Sequence, residues 1–155
     1  MTKHLYRRAV APLLIVLCMA AALSTVACDD ADKHRAAQAA AGVASGLSAL
    51  EAEAEALYHA GAIDKQEAIV LVLGISDLTR VNDQYVEQLR SFSTLDTSNR
   101  QVVVNWLAEM TRSVDALNNE GVLRVKNPAS RAKLAAYIAA VRSSLGIVST
   151  LTGAK

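Results

Sequence analysis

Apolar residues recur along most of this chain at alternating steps of four and three. From Ala36 they fall at Ala40, Val43, Leu47, Leu50, Ala54 and Leu57, which places all seven on one face of a helix. That helix is expected to end near His59, with Gly61 as its left-handed stop. Asp64 and, three residues on, Glu67 fit a capping box in which each side chain takes the other's orphan amide. A second helix starts there, with the seam Leu71, Ile75, Leu78, Asn82, Tyr85, Leu89 and Phe92. Residues 68–75 are rich in Val, Ile and Leu and in isolation would suit a strand. The cap before them and the spacing after them assign a helix. Ser98 with Gln101 offers another capping box, opening a third helix with the seam Val103, Leu107, Met110, Val114 and Leu117 and ending at Asn118, Asn119 and Gly121. After a connector over 122–126, Asn127 is a good N-cap and Pro128 a favoured first helical residue. The fourth seam is Leu134, Ile138, Val141, Leu145 and Val148.

The expected fold is therefore all-α: an antiparallel four-helix bundle over residues 36–155. Composition supports it, with 29 alanines and only two prolines, Pro12 and Pro128. Two variants share the same pattern. The spacing of 3.5 residues permits a coiled-coil oligomer, and the alanine-rich 36–44 stretch would serve as a stalk below a three-helix core. Oligomeric state does not follow from the sequence.

The N-terminus has a different pattern. Residues 1–8 are short and basic, 9–19 almost wholly apolar, and 20–27 run through small residues to Cys28. This is the three-part layout of a secretory signal peptide, expected over 1–27 and removed on export. An uncleaved anchor competes, since 9–27 is near the ~20 residues a spanning helix needs; Pro12 and the drift into Ala, Ser and Thr favour cleavage. Ser24-Thr25-Val26-Ala27-Cys28 resembles the lipobox of bacterial lipoproteins, departing from it in Thr25, where leucine is usual. The resemblance covers residues 1–28 only. It implies that Cys28 becomes residue one and carries a diacylglyceryl group, with its amino group acylated as well. Each buried methylene contributes about 0.8 kcal/mol, so two or three chains anchor a domain durably. Asp29 and Asp30 resemble the signal that retains lipoproteins in the inner membrane of enteric bacteria. Residues 28–35, polar and charged, are expected to form a lipidated tether. Arg7-Arg8 fits an ordinary basic leader better than a twin-arginine motif.

Candidate chemistry is sparse. Cys18 lies in the leader and Cys28 is consumed by lipid, so the mature fold is expected to hold no thiol for a disulfide, a metal or a nucleophile. Gly42-Val43-Ala44-Ser45-Gly46 has its serine in the wrong place for a nucleophile elbow, and His59 lies about 21 Å from Ser45 along an ideal helix. Glu55 and His59 share a helix face, yet a di-iron bundle carries Glu-x-x-His on two helices and further core glutamates. Neither catalysis, a metal nor a cofactor is expected. Asn82 on the second seam is read as a register-fixing residue, and together with Tyr85 as the alternative site of a ligand cavity. Trp106, flanking the third seam, is read as packing.

Charge is the most informative functional feature. Residues 28–120 hold 7 basic and 15 acidic groups, a net −8, whereas 121–155 hold 6 basic and none acidic. Internal pairing of the last helix with the first two is the simpler account. The sharper one is a docking surface for anionic lipid or an acidic envelope protein at Arg124, Lys126, Arg131 and Lys133. Nucleic acid is disfavoured by export, by net charge and by the lack of interleaved aromatics. The functional expectation is a small cell-envelope lipoprotein, facing the periplasm or exterior, that binds or scaffolds at the membrane surface. The alternative is a helical carrier of a small apolar or haem-like ligand.

Overall fold

The computed structural model describes the backbone of residues 3–152 and the side chains of residues 31–147 and 149. The leader, Cys28 and Val148 thus bear side chains outside the described residues. Among the described residues the chain is all helical, with no strand. Its elements are α1 (Lys3–His59), α2 (Lys65–Ser91), α3 (Thr97–Ala116), a π turn (Leu117–Gly121), a 3-10 turn (Val122–Arg124) and α4 (Pro128–Thr152). Among the residues whose side chains are described, no helical stretch is long and apolar enough to cross a membrane.

The helix ends follow local chemistry. After α1, Gly61 adopts φ 68°, the Ala62 amide donates to the Leu57 carbonyl and the Gly61 amide to that of Tyr58. This pair of bonds is a Schellman stop, and only glycine takes that backbone without strain. The capping box at Asp64 is complete: its Oδ1 accepts from the Glu67 amide at 2.9 Å and its own amide donates to Glu67 Oε2 at 2.7 Å. Asn127 Oδ1 accepts from the Ala129 and Ser130 amides at 3.0 and 3.2 Å, ahead of Pro128. The third start differs from expectation. Asp96, not Ser98, is the N-cap, accepting from the Asn99 amide at 2.8 Å. Leu95 is buried just before it, which pins the chain where the aspartate reaches the free amides.

One continuous core runs between the helices. All seven seam positions of α1 are buried, as are Leu71, Ile75, Leu78, Asn82, Tyr85 and Leu89 of α2. Each large aliphatic side chain so buried contributes about 1.5–3 kcal/mol relative to exposure. In α3 the buried set is Val103, Trp106, Met110 and Val114, so Trp106 takes the core position that the spacing assigned to Leu107. Each helix touches chiefly two others: α1 lies against α4 and α2, and α3 against α2 and α4. Ala36, Ala39, Ala40 and Val43 are all buried, so the alanine-rich stretch is core rather than stalk. The tether expected over 28–35 also differs where it is described. Residues 31–35 belong to α1, the Asp32 carboxylate holds Arg100 Nη2 at 3.0 Å, and the Lys33 ammonium donates to the Phe92 carbonyl. Two side chains fastened to the far end of α2 and the start of α3 make this stretch part of the folded unit.

Candidate functional site

Two regions hold the residues that the sequence singles out. The first is the middle of the core, where α2 faces α1 and α3. Asn82 is 1% exposed, and its Nδ2 donates to the Ala40 carbonyl of α1 at 3.3 Å. That bond ties α2 to one height on α1, the registering role expected of a seam asparagine. Three residues on, Tyr85 stacks on Trp106 with ring centroids 4.0 Å apart and planes inclined by 13°. Burial pushes the Tyr85 phenol well above its ordinary range, so it stays protonated.

Three polar atoms in this region, Asn82 Oδ1, Tyr85 Oη and Trp106 Nε1, are buried without a hydrogen-bond partner. Such groups are uncommon in folded proteins and each costs about 1–3 kcal/mol of desolvation. Clefts open beside them. One of about 280 Å³ between α2 and α3 is lined by Tyr85, Trp106, Gln84, Gln88, Asn105 and Glu109. Another, of about 570 Å³ between α1 and α2, is lined by Asn82, Lys33 and the alanines of α1. Both open to solvent. Asn82 and Tyr85 are neighbours in the core and do not line one shared chamber.

The second region is the end of the molecule where α1 stops and α4 begins. Of the four basic residues expected to dock there, three have different partners and one has none among the described residues. Lys126 Nζ lies 2.7 Å from Asp64 Oδ2, and its amide donates to Glu67 Oε1 at 2.9 Å. Lys133 Nζ lies 3.4 Å from Glu53 Oε1. The Arg131 guanidinium reaches the Val125 carbonyl at 3.5 Å. Arg124 is exposed and has no ion-pair partner among the described residues. Internal pairing of α4 and its approach with α1 and α2 is thus present, through Glu53, Asp64 and Glu67. Arg142, further along α4, pairs with Asp115 of α3 at 2.6 Å. The side chains of Lys126 and Lys133 remain 80% and 64% exposed, and exposed pairs of this kind exchange partners readily. Hydrogen bonding and attraction from Lys126 hold the Asp64 carboxyl below its usual range, and the same contact raises the Lys126 ammonium.

Glu55 and His59 approach to 3.6 Å on the exposed last turn of α1. Among the described residues no three His, Cys, Asp or Glu side chains gather in a metal-sized group. Gly42 and Gly46, the ends of the serine-containing pentapeptide, face α4. A β-carbon built on them would lie 2.9 Å from Ser144 Oγ and 2.7 Å from Val141 Cγ2. They are the places where two helices approach closely, a packing role that spacing alone did not reveal. Ile69, Val72 and Leu73 project from the outward face of α2. Comparisons with protein-family models, with curated proteins and with solved structures find no match.

Proposed function

We propose that this chain is a small bacterial cell-envelope lipoprotein, anchored through Cys28, whose helical domain binds or scaffolds at the membrane surface without catalysis. The observation that carries the reading is the small-residue run Ser24-Thr25-Val26-Ala27 before Cys28, behind a basic and then apolar leader. In this reading the domain is an antiparallel four-helix bundle. Residue pairs support that arrangement: Gly42 with Ser144, Gly46 with Val141 and Glu53 with Lys133 set rising numbers in α1 against falling ones in α4. Lys33 with Phe92 and Ala40 with Asn82 do the same for α1 and α2. The docking surface is the end that carries Arg124, Lys126, Arg131 and Lys133, with an acidic envelope protein as partner.

Intact mass and membrane partition of the protein made in a bacterial host, beside a Cys28→Ser variant, test the anchor. A mass matching lipidated Cys28 to Lys155, lost together with membrane association in the variant, is the expected result. An unlipidated soluble product in both cases overturns it.

The second reading, a carrier of a small apolar or haem-like ligand beside Asn82 and Tyr85, draws on the three unpartnered polar atoms. Against it, Asn82 and Tyr85 are filled around by core side chains, each being 1% exposed, and the adjoining clefts are open. Titration with haem, followed by quenching of Trp106 fluorescence, distinguishes the two. Saturable quenching that Tyr85→Ala abolishes supports the carrier.

A further inference from the structure

Asp32 is held by Arg100 at the start of α3, and Lys33 by the carbonyl of Phe92 at the end of α2. Ala36 is already fully buried. Only residues 29–31 therefore separate Cys28 from a residue fastened to the folded domain. As helix, four residues span about 6 Å; fully extended, they reach no more than about 14 Å. A headgroup layer is itself about 5–7 Å deep on each side of a bilayer. An anchor at Cys28 thus keeps this end of the domain within about 10 Å of the headgroup surface.

We infer that the end face formed by the α2–α3 turn and residues 31–35 of α1 is a membrane-contact surface, seated on the phospholipid headgroups. This rests on the lipid anchor proposed above. The chemistry of the face suits a headgroup layer. Ser93, Thr97 and Ser98 are exposed hydroxyls around the turn, and Arg35 is an exposed cation with no partner among the described residues. Among the described residues, two acids at this end are engaged: Asp32 holds Arg100, and Asp96 caps α3. Hydroxyls and a guanidinium can thus bond phosphate oxygens while the neighbouring carboxylates are occupied within the protein.

The same geometry assigns the opposite end. Glu53, which pairs with Lys133, lies about 30 Å along α1 from Asp32, and His59 about 40 Å. With one end on the headgroups, Arg124, Lys126 and Lys133 point away from the anchoring membrane. Their partner is then a molecule facing that membrane, not the lipid beneath.

The test uses the full chain, matured in a bacterial host and reconstituted in phosphatidylcholine vesicles, with a fluorophore on Ser93→Cys or on Leu123→Cys. A nitroxide on the choline headgroup quenches at short range. Loss of emission from the label at 93, with none at 123, is expected. A lipidated, membrane-bound protein with equal quenching at both sites overturns the contact surface alone. A soluble product whose mass lacks lipid overturns this inference and the lipoprotein reading together.

Discussion

The contact between α1 and α4 and that between α2 and α3 solve one packing problem in opposite ways. On the first side, Gly42 and Gly46 leave no side chain, and the space is taken by Ser144 and Val141 of the neighbour. On the second, Tyr85 and Trp106 meet face to face and hold the helices apart by the thickness of two rings. The glycine side brings backbones together and leaves no buried polar atom of Ser144 unpartnered, its hydroxyl donating to the Ala140 carbonyl of its own helix. The aromatic side buries two large rings but traps Tyr85 Oη and Trp106 Nε1 without partners. A core can gain area at the expense of polar satisfaction, and this one does so on one side only.

Truncating the larger side should cost most. Trp106→Ala is expected to lose about 3–5 kcal/mol of stability in chemical denaturation, the range for a buried aromatic. A loss under about 1 kcal/mol would mean that the stack is not core. On the glycine side, Gly46→Val should lose about 1–3 kcal/mol, because the added carbons run into the stiff Val141 side chain. Gly42→Ala is the sharper control: the Ser144 hydroxyl can rotate aside, and alanine gains up to about 1 kcal/mol of helix propensity over glycine, so the midpoint should hold or rise. Tyr85→Phe removes an unpartnered hydroxyl and keeps the ring; stability should be unchanged or higher by about 1 kcal/mol. A clear loss there would show that the hydroxyl is bonded in solution.

The smallest effect lies away from both seams, at the charged end. Asp64 has a lowered pKa in the folded chain, so its contribution is present above the ordinary carboxylate range, near pH 4, and fades as pH falls through the folded value. Thermal melts should show Asp64→Asn less stable than the parent at neutral pH, with the gap closing in acid. A gap that stays constant with pH would leave only the capping geometry as the cause.

Much of this architecture is legible in the sequence because helix seams and caps are local signals. Alternation of four and three picks out all seven core positions of α1, and Asp64-Glu67 and Asn127-Pro128 mark the starts of α2 and α4. Trp106 and Leu107 sit side by side, and steps of three or four from Val103 reach either. Which one turns inward depends on Tyr85 across the groove, which no spacing within α3 encodes. Asp96 displaced Ser98 as a cap because Leu95 is drawn into the core, again a distant cause. Residues 31–35 read as a tether by polarity, since Asp32 and Lys33 find partners some sixty residues away. The candidate docking residues were recognisable as a charge block, whereas their division among Glu53, Asp64 and the Val125 carbonyl required the fold.

The π turn at Leu117–Gly121 has a consequence for chain length. Its wide turn, closed by the Val122 amide on the Leu117 carbonyl, accommodates one residue more than an α-helix would use. Leu117 of the turn lies over Gly74 of α2, and Leu71 of α2 over Gly121 of the turn. Removing Asn119 would let the turn relax toward ordinary α geometry just before the chain reverses into α4, so the seams on either side need shift little. Removing one residue from the middle of α1, such as Ser48, would rotate everything on one side of the cut by about 100° and carry Leu50, Ala54 and Leu57 out of the core. The molecule is thus elastic to gain or loss of a residue at one corner and rigid to it along its longest helix.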